Sequence, residues 1–491
     1  MKRLTGSDAT FLYLQSATSH MEVSAVVIVD PSEVPGGYSF EKARAAIDAR
    51  LHLVPPFRRR LVHVPFELDN PRWIEDPDFD LDFHIRRAAL PAPGGKAELD
   101  AFVGYLLGRP LDRSRPLWEL HVVEGLADGR VALVSKTHHA AVDGVSGTDL
   151  LASLVDLTPD AGDPEPPELP WRPDRVPGQL ELVAESIGSL IRQPWRGFKG
   201  TQRLVRAMAK DQLARFDPSP TTAAFASPAT PFNTTVTPHR LVHLFELPMA
   251  DLRAVKREAG SSLNDVLLAA VGGALRTYLL ERDELPTSPL VAFVPVSTRD
   301  GAAGGEGGNE TSAVFATIAT DLADPAERLA VIHDAMTAAK AQHKEIGAAT
   351  LIDFTEIAGP AAAALAGRFI NRFRVNEIIR ASANVVVSNI PGPPVPLYVA
   401  GAKVEAIYPL GPVADGSALN ITVMSYLDTM YVGLAADRAT VPDIERIGDL
   451  LTDALAELVE RFAPPPPAAA PAPVAGKRAS ARPRPAAAVR R

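Results

Sequence analysis

His138 and His139 stand side by side, Asp143 follows four residues after the second of them, and Gly144 comes directly after the acid. An imidazole has an ordinary pKa of about 6.5, so a histidine held in a cleft can take a proton from a hydroxyl at neutral pH. Asp143 supplies either an orienting partner for the ring or an ionic partner that fixes the loop. Gly144 lets the backbone turn sharply without a Cβ clash. The chain has no Cys and no Gly-x-Ser-x-Gly elbow, which favours direct base catalysis on a substrate hydroxyl over a covalent enzyme intermediate. Two bland readings compete: histidines satisfied in the core at a strand end, and a two-His, one-Asp metal site. No third-ligand spacing accompanies the pair, so no metal is expected.

The elements that must hold these residues are legible around them. Val131-Ala132-Leu133-Val134 reads as a buried strand leading into the histidines, and residues 145–157 as a helix leaving the motif. Residues 21–29 read as a strand and 40–53 as a one-sided apolar helix; Leu120-His121-Val122-Val123 leads to a turn at Ala127-Asp128-Gly129. Pro and acidic residues crowd 159–177, which reads as a linker. A basic amphipathic helical stretch, 179–216, follows, and then a polar passage over 218–238. A second section with strands at 291–296, 383–388 and 419–424 and a helix over 264–280 runs to about residue 462. The expected organisation is 1–158, a crossover over 159–239, 240–462, and a Pro/Ala-rich basic tail over 463–491 without a core.

With 491 residues, 46% hydrophobic and 22% charged, the chain is expected to fold as two globular domains. No segment reads as a membrane span or a secretory leader, and the absence of Cys excludes disulfides and thiolate metal sites. The expected location is cytoplasmic, with the basic tail and the 179–216 stretch as the candidates for contact with a membrane surface. The net charge is −9, yet Lys477 to Arg491 holds six cations and no acid. The rest therefore stands near about −15, which argues against a nucleic-acid partner. The 179–216 stretch suits either a lipid interface or an interdomain crossover with a solvated basic face.

His138-His139-Ala140-Ala141-Val142-Asp143-Gly144 resembles the HHxxxDG signature of the CoA-dependent acyltransferases. Ser7-Asp8-Ala9-Thr10-Phe11-Leu12, Pro71 to Asp80, Pro116-Leu117-Trp118-Glu119, Thr230-Pro231-Phe232-Asn233, Ser262 to Val266, Ser388 to Pro393 and Tyr408 to Pro412 follow in order. Together they resemble the bacterial wax ester synthase/acyl-CoA:diacylglycerol acyltransferase family over residues 4–462. The resemblance implies an α/β (α+β) fold of two chloramphenicol-acetyltransferase-like domains, with the active site in a channel between them. It implies an enzyme in which His139 is the general base, His138 a supporting residue, and Asp143, beside Gly144, the partner of Arg299. Acyl-CoA would be co-substrate, with no cofactor, and diacylglycerol or a long-chain fatty alcohol the acceptor.

Oxyanion or channel residues expected from the same resemblance are Asn264, Ser388, Asn389, Pro391 and Gly392. Asn264 also suits helix capping, and Pro391-Gly392 a plain turn. Trp118 is expected to pack rather than to touch substrate. The rival readings are an acyltransferase acting on a polyketide or glycolipid alcohol, and a non-catalytic lipid-binding or droplet-coating protein.

Overall fold

The computed structural model describes residues 1–141 except 35, 154–192 except 163, 227–297, 311–346 and 383–462. Two six-stranded sheets organise these residues. The first runs β12 (Tyr398–Val399), β13 (Ala402–Leu410), β2 (Glu22–Asp30), β7 (Val131–His138), β6 (Trp118–Glu124), β5 (Ile85–Ala89). The second runs β10 (Thr311–Thr317), β9 (Val291–Ser297), β11 (Val385–Ile390), β14 (Leu419–Tyr426), β15 (Thr429–Asp437), β8 (Arg240–Pro248). A small third sheet joins β1 (Lys2–Arg3), β4 (Arg72–Glu75) and β3 (Arg59–Val62). This is the mixed α/β architecture that the sequence implies.

β7 is the central strand that carries the histidines. Its first four residues are apolar and buried, as a strand flanked on both sides demands. Antiparallel β2 pairs along its whole length, setting Glu22 opposite His138 and Ser24 opposite Lys136. The strand ends where a single 3-10 turn, His139–Ala141, begins.

The described helices are α1 (Gly6–Leu14), α2 (Phe40–Arg50), α3 (Leu81–His84), α4 (Lys96–Leu107), α5 (Gln179–Arg192), α6 (Met249–Ala259), α7 (Leu263–Leu280), α8 (Pro325–Ile346) and α9 (Ile444–Phe462). Helices α6, α7, α8 and α9 share one apolar core with the second sheet. α7 is long and apolar enough to cross a membrane by composition alone, but most of it is buried inside this core. The expected helix over 40–53 stops at Arg50, and Leu51–Leu53 tightens to a 3-10 turn. Pro55 and Pro56 follow, and residues ahead of proline are driven out of the α region.

The two sheets are tied together by the chain itself. β13 follows β11 in sequence yet crosses to pair with β2, with Val404 opposite Val29 and Leu410 opposite Ser24. β14 then returns to the second sheet beside β11. Where β13 lies against β15, a Cβ on Gly433 would stand 2.0 Å from the Pro409 carbonyl oxygen, so only glycine fits without a shift. α4 also packs against β8, across the same divide.

The Pro-rich segment read as a linker is laid along β4. Asp174 N–H donates to the Glu75 carbonyl at 3.0 Å, Glu75 N–H donates to the Asp174 carboxylate at 3.1 Å, and the Trp171 indole reaches the Glu75 side chain at 2.9 Å. Of the expected 179–216 helix, α5 carries the described portion; residues 193–226 lie outside the described residues, as does most of the expected helix over 145–157.

Candidate active site

The backbone fixes both histidines before their rings are considered. His138 N–H donates to the Leu117 carbonyl at 3.0 Å, and His139 N–H donates to the Met21 carbonyl at 2.8 Å. The end of β7 is thus held between Pro116-Leu117-Trp118 and the residue that opens into β2. Trp118 is buried, stacked between Phe57 and His84, and its indole donates to the Phe57 carbonyl at 2.8 Å, so it is a packing residue.

His138 is fully buried. Ala140 N–H donates to its Nδ1 at 3.1 Å, so Nδ1 carries no proton. The proton therefore sits on Nε2, which donates to Gln15 Oε1 at 3.1 Å. Burial, with the nearby Arg113, His139 and His20, pushes its pKa down to about 3. A ring so satisfied and so hard to protonate is a strut.

His139 is different. The residue is half-buried, and the Phe11 ring stacks on its imidazole at 4.0 Å with 13° between planes. Crowding by protein pushes its pKa below 6.5, and a hydrogen bond to its own backbone opposes that. Nδ1 is the only ring nitrogen that can reach the residue's own backbone. Nε2 is the nitrogen that faces away from the backbone, and in the tautomer with the proton on Nδ1 it keeps a lone pair able to accept one. At neutral pH the ring is an uncharged base.

The floor beneath the pair is charged but closed. Lys136, two residues before His138 on β7, lies 3.0 Å from Glu22 Oε2, with both side chains buried. Lys136 also donates to the Leu106 carbonyl at 3.0 Å, and Leu111 N–H donates to the other Glu22 oxygen at 2.7 Å. Arg240, from β8, donates to the Thr18 carbonyl and lies 3.7 Å from buried Asp437, pinning the second sheet to the loop before β2. His20 sits in that loop, buried, with both ring nitrogens unpartnered; burial, Arg240 and Lys136 hold its pKa down at about 4.

The other sequence-identified residues lie on the second sheet's side. Asn264 occupies the first turn of α7, half-buried, but the helix is capped by others. Ser262 Oγ accepts from Asp265 N–H at 3.2 Å, and the Asp265 carboxylate accepts from Ser262 N–H at 2.9 Å. Asn264 is therefore not needed as the cap, while Asp265 also binds His333 at 2.8 Å. Ser388 and Asn389 are half-buried near the end of β11, opposite Thr422 and Val423 of β14. Pro391 is exposed, and Gly392 N–H donates to Ser425 Oγ at 3.2 Å. A Cβ on Gly392 would stand 1.9 Å from the Ser425 carbonyl oxygen, so this glycine allows the strand ends to meet.

Among the described residues no hydrogen bond or ion pair joins Asn264, Ser388 or Asn389 to the histidines. Asp143, Gly144 and Arg299 lie outside the described residues. Among the described residues no cluster of His, Asp and Glu has the arrangement of a metal site.

Residues 4–267 match the wax ester synthase/diacylglycerol acyltransferase catalytic domain, and residues 307–459 match the C-terminal domain of the same family. A Mycobacterium tuberculosis protein with a provisional diacylglycerol O-acyltransferase name is 36% identical over 461 residues, covering 94% of this chain and 90% of its own. The solved wax ester synthase/diacylglycerol acyltransferase of Marinobacter aquaeolei is 32% identical with a TM-score of 0.66, covering 94% of this chain and 100% of its own. A starter condensation domain of rhizomide synthetase, solved with C8-CoA and Leu-SNAC, shares the fold at 14% identity and a TM-score of 0.52. It covers 94% of each chain.

Proposed function

The chain belongs to the wax ester synthase/diacylglycerol acyltransferase family, and on that premise we propose that it transfers a long-chain acyl group from acyl-CoA to diacylglycerol, with a long-chain fatty alcohol as the second acceptor. As a member of that family it is an acyltransferase that uses an activated acyl donor and an acyl acceptor. The observation that carries the reading is His139 at the end of β7, half-buried, with its backbone N–H bound to the Met21 carbonyl at 2.8 Å and its ring stacked on Phe11 at 4.0 Å.

In this reading His139 Nε2 takes the proton of the acceptor hydroxyl as the oxygen attacks the thioester carbonyl carbon. The carbonyl oxygen becomes an oxyanion, which needs donors already in place. Asn264, Ser388 and Asn389 are the candidates, with Pro391 and Gly392 shaping the nearby wall. Collapse breaks the C–S bond, and the proton on His139 passes to the CoA sulfur. Atoms and charge balance without a covalent enzyme intermediate. His138 supports the turn, and the pairing of Asp143 with Arg299 that the family resemblance implies falls outside the described residues, as does Gly144.

Contact with a membrane or droplet surface, from a cytoplasmic location, belongs to the same proposal. Leu180 and Ile187 on α5, and Phe66 on the turn that α5 packs against, are large apolar side chains exposed to solvent, which supports it.

The test is free thiol release from palmitoyl-CoA with diacylglycerol, hexadecanol or glycerol added separately. Release that depends on diacylglycerol or hexadecanol, with the matching ester formed, supports the proposal. Release with none of them, or only with glycerol, contradicts it.

A further inference from the structure

α1 does more than fill space beside the histidines. It touches both rings, and in different ways. Phe11, on its second turn, lies face to face with the His139 imidazole at 4.0 Å and 13°. Gln15, the residue that ends the helix, accepts from His138 Nε2 at 3.1 Å. The helix itself is anchored on the other side. Ala9 and Leu12 are buried with Ala140 and Ala141 of the turn that follows His138, in a cluster with Leu4, Leu61, Trp73 and Leu117. Tyr13 donates to Asn70 at 3.1 Å, and Leu4 N–H donates to the Pro71 carbonyl at 2.9 Å.

We propose that α1 is a clamp for the catalytic imidazole, with Phe11 the positioning residue for His139 and Gln15 the positioning residue for His138. The inference rests on His139 being the general base. A base that must aim one lone pair at a hydroxyl needs its ring plane fixed as well as its tautomer. A hydrogen bond at one ring nitrogen fixes one point of the ring and leaves the plane free to rock. A flat ring stacked in contact removes that freedom, because rotation of the imidazole drives its edge into the Phe11 face. A branched aliphatic side chain of similar bulk fills the space without presenting a plane. Gln15 does the equivalent for His138 by a directed hydrogen bond, which also keeps Nδ1 of that ring free to accept Ala140 N–H and so holds the turn. The Ser7 to Leu12 segment is recognisable in the sequence, yet the chemistry it serves lies well over a hundred residues further along the chain.

The experiment compares Phe11→Leu, Phe11→Met, Phe11→Tyr, Gln15→Ala and His139→Ala with the unmodified full chain, measuring kcat, KM and Tm. Leu14→Ala, on the exposed last turn of α1, serves as the control. The clamp predicts that Phe11→Leu and Phe11→Met lose about 10- to 100-fold in kcat, with KM and Tm little changed. Phe11→Tyr, which restores the plane, recovers most of that loss, and Gln15→Ala lowers kcat in the same direction. Full activity in Phe11→Leu with an inactive His139→Ala overturns the clamp alone. Equal loss in Phe11→Leu and Phe11→Tyr, in step with a fall in Tm, also overturns it, because that is the signature of simple packing. Full turnover by His139→Ala overturns the assignment of the base, and the clamp with it.

Discussion

Replacing His20 with Leu should make the protein less sensitive to acid without weakening it at neutral pH. His20 is 4% exposed, and neither ring nitrogen has a partner. Burial together with Arg240 and Lys136 holds its pKa at about 4, against 6.5 for an unperturbed ring. As the pH falls below 6.5 the unfolded chain protonates this ring, whereas the folded chain does not until the pH nears 4. The unfolded state binds more protons across that window, so stability is full above it and is lost as the pH drops through it. One pKa unit corresponds to about 1.4 kcal/mol, so His20 alone removes about 2 kcal/mol between about pH 7.5 and about pH 5. His138, held at about 3, acts in the same direction over the same range. At neutral pH the leucine replaces a ring with two unsatisfied nitrogens, an exchange that is close to neutral or stabilising. Urea unfolding across this pH range should show the unmodified protein losing about 2 kcal/mol more than His20→Leu does. An unchanged pH dependence, or a large loss at neutral pH, would refute the reasoning, because it would mean that His20 is a satisfied polar group.

Two further substitutions probe the framework. Lys136→Met strands the Glu22 carboxylate in the interior and should cost about 3–5 kcal/mol, of which a second change, Glu22→Gln, recovers more than half; denaturant titration of the single and double variants checks this. Gly433→Ala places a Cβ 2.0 Å from the Pro409 carbonyl oxygen, where β13 lies against β15. It should lower stability by about 1–3 kcal/mol, read as a fall in Tm.

Much of this molecule is legible in its residue order because the informative signals are local. The apolar run of β7 leading into two histidines needs only its own sequence to be read, and so does the long periodic α7. What sequence does not convey is which distant pieces meet. Nothing in the residues of β13 says that this strand leaves the sheet of β11 and β14 to pair with β2. Phe11, Gln15, His20 and Met21 reach the histidines from more than a hundred residues away, and only the ordered Ser7 to Leu12 motif hinted that the region matters. The strand expected over 383–388 instead spans Val385–Ile390. Asn384 is withdrawn from the ladder's regular run: its side chain accepts from Val291 N–H at 2.9 Å and donates to Asn233 at 2.7 Å. That clasp gives the Thr230 to Asn233 segment a structural purpose, since Asn233 also donates to the Ala383 and Gly416 carbonyls, each at 2.9 Å. Capping logic pointed at the right helix end but could not separate Asn264 from Ser262 and Asp265, which do the capping.

The central claim is that His139, and not its buried neighbour, accepts the proton of the attacking hydroxyl. The most direct measurement is ester formation from palmitoyl-CoA and diacylglycerol by His139→Ala beside His138→Ala, each checked for folding by its thermal transition. The account predicts that folded His139→Ala makes essentially no ester. Any loss in His138→Ala should track a loss of stability, since that ring holds the turn through Ala140 and Gln15. Full turnover by a folded His139→Ala would contradict it.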